Sequence, residues 1–137
     1  MYAYVGEKIT LPSATKDGYT FKGWSDGTNT YAAGANYTVE GNVTLTAQWE
    51  AIQYTITLTN NGWSSPTVNG VANNQKAYAG DKITFTVTNG SGIFASEKTI
   101  TVKAADGTEL YTGKVSKGAT VNVEFTMPVG NVTITIS

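Results

Sequence analysis

Apolar residues recur at every second position through most of this chain, and that period fixes the class of fold. Ile56 and Leu58 alternate with Thr55, Thr57 and Thr59, and Ile83, Phe85 and Val87 alternate with Thr84, Thr86 and Thr88. The pattern returns in Ile100 and Val102, in Val121, Val123 and Phe125, and in Val132, Ile134 and Ile136. In a strand this period sets one row of side chains in the core and the other in water. Threonine suits the wet row, because a β-branched side chain fits a pleated surface. Asn61-Gly62, Asn69-Gly70, Asn89-Gly90 and Asp106-Gly107 punctuate the runs with dipeptides that favour positive φ. Residues 99–112, broken at Ala105-Asp106-Gly107, read as a β-hairpin. No segment keeps a helical period, and residues 15–26 read as a short helix or an irregular turn. The expected class is all-β, mainly antiparallel.

Two phrases occur twice, in the same order. Residues 3–11, beginning Ala3-Tyr4-Val5-Gly6-Glu7-Lys8-Ile9-Thr10, match residues 77–85, beginning Ala77-Tyr78-Ala79-Gly80-Asp81-Lys82-Ile83-Thr84. Gly41-Asn42-Val43-Thr44-Leu45-Thr46 matches Gly130-Asn131-Val132-Thr133-Ile134-Thr135. Such self-similarity marks related units. We place module one at residues 1–51 and module two at residues 52–137. Module two has a leading strand, residues 54–59, ahead of its first mark. Module one has none ahead of Ala3, and Met1 runs straight into strand-like sequence with no charged leader or long apolar run. The chain therefore reads as an excised fragment that begins inside module one. It is expected to be a monomer or a dimer paired through a sheet edge.

Composition narrows the chemistry. The chain has no Cys and no His, which removes disulfides, thiolate nucleophiles and the commonest general base and metal ligand. Charged residues are 14% of the chain, against about 25% in ordinary soluble domains. Every basic residue is Lys and the net charge is −1, so nucleic acid is not an expected partner. No run of about twenty apolar residues exists to insert into a membrane. We expect no enzymatic activity and no cofactor.

Gly18-Tyr19-Thr20-Phe21-Lys22-Gly23-Trp24, then Tyr31, Gly34 and residues 38–49 from Thr38 to Trp49 carry a specific resemblance. With Leu11-Pro12-Ser13-Ala14-Thr15-Lys16, module one resembles the Listeria–Bacteroides repeat, the family that includes the internalin B-repeat. It departs by lacking the family's leading strand and Asn-Gly-Gly turn, and Ala14 stands where a second Pro is usual. Module two is similar to more divergent bacterial surface repeats, through Phe125-Thr126-Met127-Pro128 and the two repeated phrases. The resemblance implies a β-grasp-like fold for module one. It implies tandem repeats on an exported protein of Gram-positive or gut bacteria, extracellular and on the cell wall or cell surface. The usual role is spacer or stalk beside neighbouring repeat modules, with adhesion to host glycan or protein in some members. For module two, about seven strand candidates favour an immunoglobulin-like β-sandwich.

Aromatic side chains are the candidate contacts. Trp63 lies in the turn-rich run Asn60-Asn61-Gly62-Trp63-Ser64-Ser65-Pro66 and reads either as a plug over one end of the sandwich or as a ligand contact. Tyr78 and Tyr111 follow it as possible contacts. Trp24 and Trp49 sit in strand-like sequence and read as core aromatics rather than a sugar-stacking platform. Asp81, Asp106 and Glu109 are scattered acids without a calcium-loop spacing. Lys82 or Lys103, if buried beside an Asn and Glu124, would suit an intramolecular Lys–Asn isopeptide bond.

Overall fold

The computed structural model describes residues 3–60 and 66–137. The chain divides into two compact units, Met1–Ile52 and Gln53–Ser137. All the described elements are strands, and all pairings but one are antiparallel.

Unit one holds β1 (Lys8–Thr10), β2 (Tyr19–Ser25), β3 (Thr30–Tyr31), β4 (Asn36–Thr38) and β5 (Thr46–Ala51). β1 and β4 form a two-stranded ribbon, and β3-β2-β5 form a three-stranded sheet. β2 occupies the stretch where the sequence suggested a short helix or irregular turn. The reason is local. The register of β2 on β5 shifts between Phe21 and Gly23, so a β-bulge breaks the alternation that would have announced a strand. Gly23 has φ +125°, and a Cβ there would lie 2.5 Å from the carbonyl oxygen of Tyr31. Only glycine meets both demands. The bulge also turns Phe21 and Trp24 toward each other, with ring centroids 5.4 Å apart, and Phe21 lies 5.3 Å from Trp49.

Unit two holds β6 (Gln53–Asn60), β7 (Thr67–Asn69), β8 (Gln75–Tyr78), β9 (Lys82–Thr88), β10 (Lys98–Ala104), β11 (Glu109–Val115), β12 (Thr120–Thr126) and β13 (Val132–Ile136). Five of these form a sheet in the order β11-β10-β13-β6-β8, and three form a second in the order β12-β9-β7. The alternation decides what lies between them. Ile56, Ile100, Val102, Val132, Ile134 and Ile136 of the larger sheet are fully buried in one core with Phe85, Val87, Val123 and Phe125 of the smaller. This is the sandwich expected of module two. On the outer face of the larger sheet, register places Thr112, Thr101, Thr135 and Thr59 side by side on four successive strands. The outer row is thus neutral and hydroxyl-bearing. The exceptional pairing is the parallel one: β6 and β13, the first and last strands of the unit, run side by side from Val132↔Ile56 to Ile136↔Asn60.

The repeated phrases are repeated structure. In unit one Gly6 N–H donates to the Val39 carbonyl (2.6 Å), Val39 N–H to Glu7 (2.9 Å), and Tyr4 N–H to the Glu7 carboxylate (2.9 Å). In unit two Gly80 N–H donates to Met127 (2.8 Å), Met127 N–H to Asp81 (2.8 Å), and Tyr78 N–H to the Asp81 carboxylate (2.9 Å). Gly6 and Gly80 take φ +89° and +91°. The next pairs also agree: Lys8↔Thr38 and Ile9↔Tyr37 correspond to Lys82↔Thr126 and Ile83↔Phe125. The sheets match as well, since Ser25 pairs with Thr30 and Thr46 as Thr101 pairs with Thr112 and Thr135. Hence β3-β2-β5 corresponds to β11-β10-β13, and unit two adds β6, β7 and β8 to the shared plan.

Candidate functional site

Of the three aromatic contacts the sequence singles out, Trp63 lies outside the described residues. Tyr78 ends the edge strand β8 and is 42% exposed on the outer face, where Gln53 Nε2 donates to its hydroxyl at 3.3 Å. Tyr111 sits on β11, at the opposite edge of the same sheet. It pairs with the fully buried Val102 and is half-buried against the core, with its ring over Gly113. Four strand spacings separate the two edges, roughly 19 Å, and the two rings face opposite sides of the sheet. They cannot form one platform. In unit one, Trp24 and Trp49 are half-buried in the aromatic cluster, and Trp24 Nε1 donates to the Pro12 carbonyl at 2.8 Å. An anchored indole with ring neighbours on its faces packs as core.

The polar candidates have structural duties. Asp81 accepts from the Tyr78 N–H, and Asp106 accepts from the Thr108 N–H at 2.9 Å. That hydrogen bond holds the Asp106 carboxyl below the usual aspartate range. Glu109 pairs in register with Lys103. Among the described residues no group of three acidic or other metal-binding side chains gathers. Lys82 and Lys103 are exposed rather than buried, and Lys82 forms a surface ion pair with Glu124 at 3.1 Å. That places both lysines in water, where an isopeptide bond would lack the dry pocket its chemistry requires.

Unit two offers a different surface. Register brings the ends of β6, β9, β11 and β13 to the starts of β7, β10 and β12, so several loops share one end of the sandwich. The loop between β9 and β10 carries Ile93 and Phe94, 84% and 89% exposed. Its base is fixed by Asn89, 3% exposed and the one buried polar side chain among the described residues. Asn89 Nδ2 donates to the carbonyls of Ser96 (2.7 Å) and Val115 (3.1 Å), and its Oδ1 accepts from Gly90 N–H (2.9 Å). Gly118 N–H closes onto the Gly90 carbonyl at 2.8 Å. A stapled base thus presents two bare apolar side chains. Strand periodicity cannot signal this pair. The readable cue was an apolar dipeptide directly after the turn-rich run Asn89-Gly90-Ser91-Gly92.

A second feature lies on the outer face of the smaller sheet, a depression of about 560 Å³ lined by Asn69, Thr84, Thr86, Asn122 and Glu124. Its side chains supply hydrogen bonds, but Phe85 points into the core, so the depression has no stacking ring.

Residues 2–48 match the Listeria-Bacteroides repeat domain family. The match covers module one, including Gly23, Trp24, Val39 and Gly41. No curated protein and no solved structure matches the chain.

Proposed function

We propose that the chain is a non-catalytic pair of repeat modules acting as a load-bearing spacer in a bacterial surface or secreted protein. Module one is a repeat of the Listeria–Bacteroides type, and the hydrogen-bond plan it shares with unit two supports a protein built by repetition. The observation that carries the spacer reading is the parallel pairing of β6 with β13. These strands begin and end unit two. Tension applied at its two ends therefore pulls them past each other along their length. The backbone hydrogen bonds of five residue pairs must then fail together rather than one after another. Forced unfolding is governed by the unfolding barrier, which such a clamp raises.

Single-molecule pulling of the intact chain tests this. Unit two is expected to unfold in one step at the higher of two forces, with Thr59→Pro, on the part of β6 that pairs with β13 but not with β8, lowering that force sharply. Unfolding of unit two at or below the force of unit one would overturn the spacer reading.

Adhesion is the second reading, and Ile93 and Phe94 favour it. An apolar tip on a stapled loop keeps the entropy lost on contact small. A glycan and matrix-protein array probed with the intact chain separates the readings. Specific signal lost in Phe94→Ala supports adhesion, and a clean negative with folded protein leaves the spacer.

A further inference from the structure

On the outer face of the smaller sheet, the polar side chains divide into those the protein uses and those it leaves free. Register sets Asn69, Thr86 and Asn122 side by side on β7, β9 and β12, with Thr84 beside Glu124 in the next row. Along the strands this patch is bounded by two pairs that satisfy each other. The hydroxyls of Thr88 and Thr120 lie 2.9 Å apart at one end, and Lys82 Nζ lies 3.1 Å from Glu124 Oε1 at the other. Between these pairs, no hydrogen bond among the described residues uses the side chains of Asn69, Thr84, Thr86 or Asn122. The free groups coincide with the depression of about 560 Å³. Gly70 closes its β7 side. It takes φ +101°, and a Cβ there would lie 2.9 Å from the Thr84 carbonyl oxygen, so glycine lets the chain turn off the sheet hard against β9.

We propose that this depression binds a neutral saccharide, held by hydrogen bonds without ring stacking. Two carboxamides and two hydroxyls offer donors and acceptors together, which a ring of sugar hydroxyls requires. Glu124 is ion-paired with Lys82, so the patch carries no uncompensated charge to select a cation or an anion. Phe85 and Val123 turn inward, so the patch offers no apolar anchor to a protein partner. Two strand spacings make it roughly 10 Å wide, and one side-chain repeat makes it roughly 7 Å long, the footprint of one or two sugar rings. The groups stand on three paired strands, and their short side chains have little rotamer freedom to lose on contact. Without a stacking ring the expected affinity is about millimolar. The site belongs to unit two, outside the residues that match the repeat family, and uses neither Ile93 nor Phe94. It depends on neither the spacer reading nor the adhesion reading of that loop.

The probes are maltose, cellobiose, lactose and N,N′-diacetylchitobiose, each titrated into the intact chain and followed by amide NMR. At least one is expected to shift the amides of residues 69–70, 84–86 and 122–124 along a saturable curve, with unit one unchanged. Thr86→Val removes a hydroxyl from the centre of the patch and keeps a β-branched side chain. It is expected to weaken binding about tenfold with the rest of the spectrum in place. Thr88→Val, whose hydroxyl is already paired with Thr120, is expected to leave binding unchanged. No saturable shift with any of the probes at about 100 mM, about a hundredfold above a millimolar Kd, would overturn the proposal. So would tighter binding of a sulfated disaccharide, which would make charge the recognised feature, or shifts confined to residues 90–97, which would place the contact on the Phe94 loop.

Discussion

Units one and two share a plan down to matching hydrogen bonds, yet they differ in how much they bury. Unit two sets fifteen residues in one core. In unit one only Leu11 and Val39 count as buried among the described apolar residues, and half-buried aromatics do the rest. The difference traces largely to β6. Adding one strand beside β13 closes the edge, covers Val132 and Ile134, and ties the first strand of the unit to the last. Among the described residues unit one pairs no strand at that place, and its described part is at the size where cores become marginal. The lesson is that a repeat's surface marks can be kept while its stability is set by a strand outside them.

The sharpest way to break the comparison is to make the same change in both units. Ile134→Ala removes a fully buried side chain between two sheets and is expected to cost unit two about 2–5 kcal/mol. Leu45→Ala, at the matching position of unit one, is expected to cost less than about 1 kcal/mol, because Leu45 is only half-buried. Hydrogen exchange read separately over the two units checks this. Equal losses would mean that Leu45 is packed as closely as Ile134.

Gly23→Ala tests the reverse. The new Cβ meets a backbone carbonyl and the residue must hold positive φ, so unit one is expected to lose about 2–4 kcal/mol. Unit two should not change. Near-UV circular dichroism, which reports the Phe21–Trp24–Trp49 packing, should fall in step with the exchange of residues 19–25. Retention of the aromatic signal would show that the bulge can move.

The same bulge explains what was legible in the sequence and what was not. β6, β9, β10, β12 and β13 were readable because each has one face in the core and one in water, and so alternates. The repeated phrases were readable because both copies keep a positive-φ glycine between strand marks. β2 was not, because an extra residue shifts Trp24 out of alternation with Phe21. The parallel neighbour of β13 was hidden for another reason: alternation gives the face of a residue but not the partner of its strand. The aromatic contacts fared similarly. Tyr111 looks like any strand tyrosine until register sets it opposite buried Val102, and Phe94 sits on a loop whose base Asn89 ties to Ser96 and to the end of β11.

Asn89→Ala gives a smaller effect, confined to unit two. It strips the Ser96 and Val115 carbonyls of a buried donor and is expected to cost about 1–3 kcal/mol. It should also speed exchange in residues 90–97 more than in the strands. A uniform loss across the sandwich would mean that Asn89 supports the core rather than the loop.

The smallest effect separates the units by acid. In unit one the N–H groups of Asn29 (2.7 Å) and Thr28 (2.8 Å) donate to Asp26 Oδ1, and the Tyr31 hydroxyl donates to Oδ2 at 3.2 Å. The two backbone donors hold the Asp26 carboxyl below its ordinary range, with the Tyr31 bond adding to them. A lowered folded-state value means that the turn is stabilised at neutral pH and loses that stabilisation as pH falls below the ordinary aspartate range. On the alkaline side, burial and then the Asp26 contact raise the Tyr31 phenol, so its contribution is lost only as pH rises past the usual tyrosine range. Both groups lie near solvent, so the changes are small beside those of the core variants. Asp26→Asn keeps an acceptor at Oδ1 but removes the charge. It is expected to abolish the acid-dependent opening of residues 26–31 while leaving unaltered the corresponding opening around Asp106 in unit two. Amide exchange of the two turns between about pH 7 and about pH 2 decides it. If the variant changed both turns alike, the acid response would belong to the net charge of the chain and not to either cap.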